Sequence, residues 1–255
     1  MSGCRSWLCR LTLGLGLWML MALAQAQQLT VAAASSLRPT LDYLVERYQQ
    51  QYPDSEVSII YGSSGRLSAQ IINGAPFDLF LSADMEYPQR LREQLADVSE
   101  PQIYTIGRLV MWSARLDAAA LSLQDLAADD IRRIAIAQPS VAPYGERARQ
   151  ALVAAGLWDK VQAKLVFGES ISQAAQMAAS GAADVGLFAL SLAAQPELAE
   201  HSYLLIDDSL HEPLAHGMVI TPRGRDNAQI DAFTAFMVTA DAREIFISQG
   251  FQVTD

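Results

Sequence analysis

Short apolar runs rich in β-branched residues alternate with helix-patterned stretches along most of this chain, an order that predicts an α/β fold with mainly parallel sheet strands. Residues 29–33 read as a strand and are followed by a helical pattern over 40–51; 57–61 and 67–73 repeat the pairing, as do 79–82 and 87–95. Within 40–51 the apolar side chains Leu41, Leu44, Val45 and Tyr48 keep the 3.6-residue period of one buried helix face.

The pattern restarts with strand-like runs at 109–112, 134–137, 164–167 and 185–189, separated by helical patterns at 148–155 and 174–180. A further strand at 217–221 precedes helical patterns at 227–236 and 241–249. If these last helices return to the first half, the chain forms two lobes, residues 27–107 with 216–255 and residues 108–215. It then crosses between them near 106–109 and 214–217, leaving a hinged cleft. Ligands in open α/β sheets bind beyond the carboxyl ends of the strands.

Residues 1–26 have the layout of a secretory signal: Arg5 and Arg10 at the start, an apolar run over 11–23, then Ala24-Gln25-Ala26. Cleavage is expected after Ala26, with Ala24 as the second choice. An uncleaved anchor is the competing reading, but the apolar run is shorter than the roughly 20 residues a span requires. Cys4 and Cys9 both precede that run, so the exported part carries no thiol, disulfide or lipid anchor. The formal charge is −10, and −12 beyond residue 26, which argues against nucleic acid as a partner. With 255 residues and 51% hydrophobic content, a substantial core can hold the chain without disulfides.

Two strand-like runs end in paired serines, Ser35-Ser36 and Ser63-Ser64, each followed by a helical pattern. Hydroxyls and unpaired backbone N–H groups then meet at helix N-termini, which attract anions without a cation. Ser36, three residues before Pro39, is expected to cap its helix. Serine is in any case a preferred cap residue. Two further strand-to-helix passages, Ala142-Pro143-Tyr144-Gly145 and Gly168-Glu169-Ser170-Ile171-Ser172-Gln173, place four helix starts around one cleft.

Enzymatic readings fare worse. Gly62-Ser63-Ser64-Gly65 is not the G-x-S-x-G nucleophile elbow. His201, His211 and His216 lie in the stretch read as surface and crossover, near Asp207, Asp208 and Glu212, and are expected in solvated loops. Their spacing fits no short zinc pattern. Asp78, Asp84, Glu86 and Asp184 are read as strand-end and capping carboxylates, and Trp112 and Trp158 as core or lobe-surface residues. On the residues alone, a binding protein for another oxyanion or a small organic acid and an extracytoplasmic serine hydrolase stay open as alternatives. The effector lobe of a transcription regulator is disfavoured by the signal and by the lack of a DNA-binding segment.

Taken in order, the segments 31–37, 62–65, 72–84, 136–145 and 181–186 resemble those of the periplasmic molybdate-binding proteins of ABC importers. The resemblance covers nearly all of the chain after the signal. It implies a type II periplasmic binding fold, two α/β lobes with a central ligand cleft and two hinge crossovers, closing on a tetrahedral oxyanion. It also implies hydroxyl and N–H donors from Ser35, Ser36 and Ser64, and backbone N–H donors from Tyr144 and Ile171. No protein atom would bind the metal directly, and no cofactor is expected beyond the ligand, molybdate or tungstate. A periplasmic monomer serving an ABC importer permease at the inner membrane, without catalytic activity, is the implied role. Some members of the family place a tyrosine two residues after the position of Leu187, where this chain has Ala189. Ser35 is the expected substitute for that missing donor.

Overall fold

The computed structural model describes residues 28–253; the expected signal segment, with Cys4 and Cys9, lies outside them. In chain order, β1 (Leu29–Ala34), α1 (Arg38–Gln51), β2 (Val57–Gly62), α2 (Ser64–Ile72), β3 (Leu79–Leu81), α3 (Glu86–Gln94) and β4 (Gln102–Gly107) come first. They are followed by β5 (Leu109–Trp112), β6 (Ile134–Ala137), α4 (Pro143–Ala154), α5 (Trp158–Val161), β7 (Leu165–Gly168), α6 (Ile171–Ala179), β8 (Val185–Ala189), α7 (Leu190–Ala193) and β9 (Tyr203–Leu205). The last elements are β10 (Leu214–Ile220), α8 (Ile230–Phe236) and α9 (Ala240–Ser248).

The strands form two five-stranded sheets, ordered β2-β1-β3-β10-β4 and β7-β6-β8-β5-β9. In both, the first three strands are parallel and the fourth runs against its two neighbours. The sheets are therefore mixed rather than mainly parallel, and the reason is the crossover. The antiparallel strand of each sheet is the one that has just arrived from the other: β5 follows β4 after the single residue Arg108, and β10 follows β9 after residues 206–213.

Buried strands explain the near-continuous apolar runs. Val31 to Ala33 and all of β6 and β8 have no more than traces of exposure, as expected for strands covered by helices on both faces. Leu41, Leu44 and Tyr48 are the buried stripe of α1, and the Tyr48 ring meets Phe233 of α8 edge-on at 5.0 Å. The terminal helices thus pack back against the first sheet's helix layer. Four helices among the described residues end at a glycine in a left-handed conformation that a side chain would resist, Gly74 at φ 86° and Gly156 at φ 68° among them. After α4, Gly156 N–H donates to Val153 O at 2.9 Å and Leu157 N–H to Leu152 O at 2.8 Å, the paired bonds of a Schellman stop.

Of the carboxylates read as strand-end and capping groups, Glu86 makes no capping bond and pairs with Arg90 at 2.6 Å, whereas Asp78 and Asp184 hold backbone N–H groups at strand ends. Asp78 is fully buried and accepts the Thr30 N–H at 2.7 Å, while Asp184 accepts those of Arg132 and Arg133 at 2.8 and 2.9 Å. Thr239 caps α9 by accepting the Ala242 N–H at 3.2 Å. Thr239→Ala is expected to destabilise the protein by about 1 kcal/mol in urea unfolding, with the slope unchanged. Among the described residues no helix is long and apolar enough to cross a membrane.

Candidate functional site

Strand register brings the two serine pairs together. β1 and β2 run parallel with Ala34 opposite Gly62, so Ser35 and Ser63 leave the sheet side by side. The same logic places the loops after β6 and β7 together, since Ala137 is opposite Gly168. Two helix starts from each sheet then face one another across a seam.

Short polar contacts join the two sides of that seam. Gly65, one residue into α2 from Ser64, donates its N–H to Val141 O at 2.9 Å. Ser172, next to Ile171, donates its N–H to Ser35 Oγ at 3.3 Å and its hydroxyl to Ser35 O at 3.0 Å. Ser191 of α7 donates its hydroxyl to Ser36 O at 2.7 Å. Ser35, Ser36, Ser64, Tyr144 and Ile171 are all buried in this cluster, none more than 4% exposed.

Ser36 does not cap α1. Residues Ser35–Leu37 form a 3-10 turn with Ala34 in the capping position, and the turn runs directly into α1. The tight turn keeps the chain helical from Ser35 onward and turns the Ser36 side chain toward β10 instead. Ser63 holds the N-cap position of α2, yet its buried hydroxyl makes no bond to the helix and has no hydrogen-bond partner among the described residues. Ser64 Oγ accepts the Ala83 N–H at 3.0 Å, which leaves its proton free to donate. Tyr144 and Ile171 stand in the first turns of α4 and α6, where N–H groups have no acceptor within the helix.

His216 was expected in a solvated loop, and the structure places it fully buried within β10. Its Nδ1 lies 2.9 Å from Leu214 O and its Nε2 3.4 Å from Ser36 Oγ. A carbonyl only accepts, so Nδ1 carries the proton and Nε2 presents a lone pair. Burial pushes the ring's pKa down from 6.5 to about 4, against a smaller raising effect of the bond to Leu214. The unfolded ring therefore takes up a proton that the folded one refuses. Its contribution to stability is full above about pH 6.5 and is lost as pH falls through about 4. The other two histidines stay apart: His211 contacts Glu212 O, and His201 stands edge-on to Trp112 at 5.3 Å.

Cations are peripheral. Arg66 points outward, as expected, and meets Glu169 of the opposite side at 2.6 Å with both side chains more than half exposed. Beside this pair a groove of about 510 Å³ opens between Arg38, Ser63, Arg66 and Gln173. Asp84, next to the seam, accepts the Ser82 hydroxyl at 2.9 Å and the Tyr87 N–H at 3.3 Å, and burial raises its pKa. Among the described residues no group of three or more His, Cys, Asp or Glu side chains is arranged to hold a metal ion. The arrangement is a set of hydrogen-bond donors suited to a compact anion.

Sequence reading missed His216 and Ser191. A strand taken to begin at residue 217 leaves His216 one position outside it, whereas β10 begins at Leu214. Ser191 follows a short helix start with no pattern of its own.

Comparison with known proteins agrees with this architecture. The family of bacterial extracellular solute-binding proteins matches residues 29–252. The molybdate-binding protein ModA of Azotobacter vinelandii is 32% identical over 96% of this chain and 97% of its own length. ModA of Rhodobacter capsulatus is 35% identical over 76% of this chain and 77% of its own. The solved periplasmic molybdate-binding protein of Azotobacter vinelandii superposes with a TM-score of 0.83 at 34% identity, covering 89% of this chain and 100% of that one. With a family match across nearly all its described length and relatives above 30% identity, this chain belongs to the bacterial extracellular solute-binding proteins, on the branch of the periplasmic molybdate-binding proteins.

Proposed function

We propose that this protein captures molybdate, and tungstate with it, outside the cytoplasm and delivers the oxyanion to an ABC importer permease, without turnover. The observation that carries the reading is the convergence of two helix starts from each sheet on one seam, bringing buried hydroxyls and N–H groups together while Arg38 and Arg66 stand at its groove-lined rim. Ser35, Ser36 and Ser64 supply hydroxyl and N–H donors in this reading, and Tyr144 and Ile171 supply backbone N–H donors. Molybdenum itself touches no protein atom. The relatives' names point to the same ligand, and the expected N-terminal signal fits a periplasmic location.

Physics makes such a site selective. A buried dianion is costly unless each oxygen accepts hydrogen bonds, and charge-assisted bonds offset that cost. Helix N-termini add about 0.3 to 1 kcal/mol each at exposed positions and more when buried. A protonated phosphate must hand its proton to an acceptor, which a donor-only site withholds. Sulfate is smaller and does not reach every donor at once, whereas tungstate is close in size to molybdate.

Calorimetric titration of the purified protein is expected to give tight binding for molybdate and tungstate and little for sulfate or phosphate. Tight sulfate binding would overturn the reading. A thermal shift that grows with molybdate concentration as RT ln(1 + [L]/Kd), with no product formed, separates binding from hydrolysis.

A further inference from the structure

Behind the paired serines, where the chain passes between sheets, three polar side chains from three elements share one buried pocket: Ser36, Tyr144 and His216. The Tyr144 and His216 rings stand edge to face with centroids 5.9 Å apart. Gly107 at the end of β4 makes room for both, since a Cβ there would sit 2.0 Å from the Tyr144 hydroxyl and 2.7 Å from His216 Cε1. The Ser36 hydroxyl lies beside the phenol and offsets part of the rise in phenol pKa that burial causes. Even so, Ser36 is the only group that interacts with Tyr144 Oη among the described residues, and not within ordinary hydrogen-bond distance, although the residue is only 1% exposed. A buried hydroxyl so weakly paired is costly, which points to a better partner gained in another arrangement of the same groups.

Counting donors identifies that arrangement. Nδ1 of His216 is committed to Leu214, which leaves one lone pair on Nε2, and Ser36 and Tyr144 bring two hydroxyl protons to it. Only one of them can occupy the lone pair. If Ser36 donates to Nε2, its proton is withheld from the seam. If the phenol donates there instead, the Ser36 proton is free.

Resting on the oxyanion reading above, we propose that Tyr144 is a positioning residue: its phenolic O–H takes over Nε2 of His216 and releases the Ser36 O–H to donate to the oxyanion. The side chain of Tyr144 then acts through Ser36, while its N–H acts directly. The exchange adds the Ser36 hydroxyl to that of Ser35 in a chain with Ala189, and it leaves neither the imidazole nor either hydroxyl unpaired when ligand is bound.

The test is titration with sodium molybdate of the whole protein and of Tyr144→Phe, Ser36→Ala and the double variant, with melting of each in the absence of ligand. Tyr144→Phe is expected to weaken binding about tenfold, the size of one charge-assisted bond, without lowering the ligand-free melting temperature. Adding Ser36→Ala to Tyr144→Phe is expected to cost little more than Ser36→Ala alone. In a His216→Phe background, where no acceptor competes for the Ser36 proton, Tyr144→Phe is expected to cost nothing. Unchanged affinity in Tyr144→Phe, losses that multiply with Ser36→Ala, or an equal loss in the His216→Phe background would each overturn the exchange. Absence of molybdate binding by the unaltered protein would instead remove the oxyanion reading itself, which keeps the two failures apart.

Discussion

Ser64→Ala is expected to weaken molybdate binding about 10- to 100-fold and to lower the stability of the ligand-free protein as well. Two separate roles meet in one oxygen. As a donor to a dianion, the hydroxyl makes a charge-assisted bond of about 1.5 to 3 kcal/mol, which sets the affinity loss. As an acceptor, it satisfies the Ala83 N–H at 3.0 Å in a buried position, and removing it leaves that N–H unpaired at a cost of about 1 to 3 kcal/mol. Calorimetry measures the first effect and chemical unfolding the second. Loss of stability with unchanged affinity would confine Ser64 to holding the loop after β3.

Gly145→Ala is expected to lower the melting temperature by about 4 to 10 °C, the consequence of about 1 to 3 kcal/mol of overpacking in a chain of this size. A Cβ at Gly145 would lie 2.1 Å from the Ala137 carbonyl oxygen and 2.6 Å from its carbon. Both are backbone atoms of β6, so no side-chain rotation relieves the clash and the start of α4 must move away from the strand. Tyr144, whose N–H is assigned to the oxyanion, sits one residue earlier in that turn. Affinity is therefore expected to fall together with stability, even though residue 145 contributes no donor of its own. Thermal melting and molybdate titration of the same preparation check both halves; native affinity in a destabilised variant would show that the first turn of α4 is dispensable to the ligand.

Much of this was legible from the residues because the information was local. Continuous apolar runs marked β5, β6 and β8 at their observed bounds, and hydroxyl-rich passages into helices marked both sides of the seam. Other features depend on geometry that a linear pattern does not carry. The 3-10 turn at Ser35–Leu37 displaced Ser36 from the cap, because the capping preference concerns one residue and says nothing of how tightly the preceding turn is wound. β4 and β9 were missed: β4 is a sheet edge with Ile103 45% exposed, and β9 has three residues, too few for periodicity to register. The antiparallel placement of β5 and β10 follows from where the chain crosses, and His216 gains its meaning only from the residues that β10 brings it against.

The bonds across the seam from Ser172 to Ser35 and from Ser191 to Ser36 carry no net charge, unlike the exposed Arg66 and Glu169 pair. Raising ionic strength screens exposed charges and leaves buried hydroxyl-to-carbonyl bonds nearly untouched. The grip of one side on the other should therefore persist from dilute to salty surroundings.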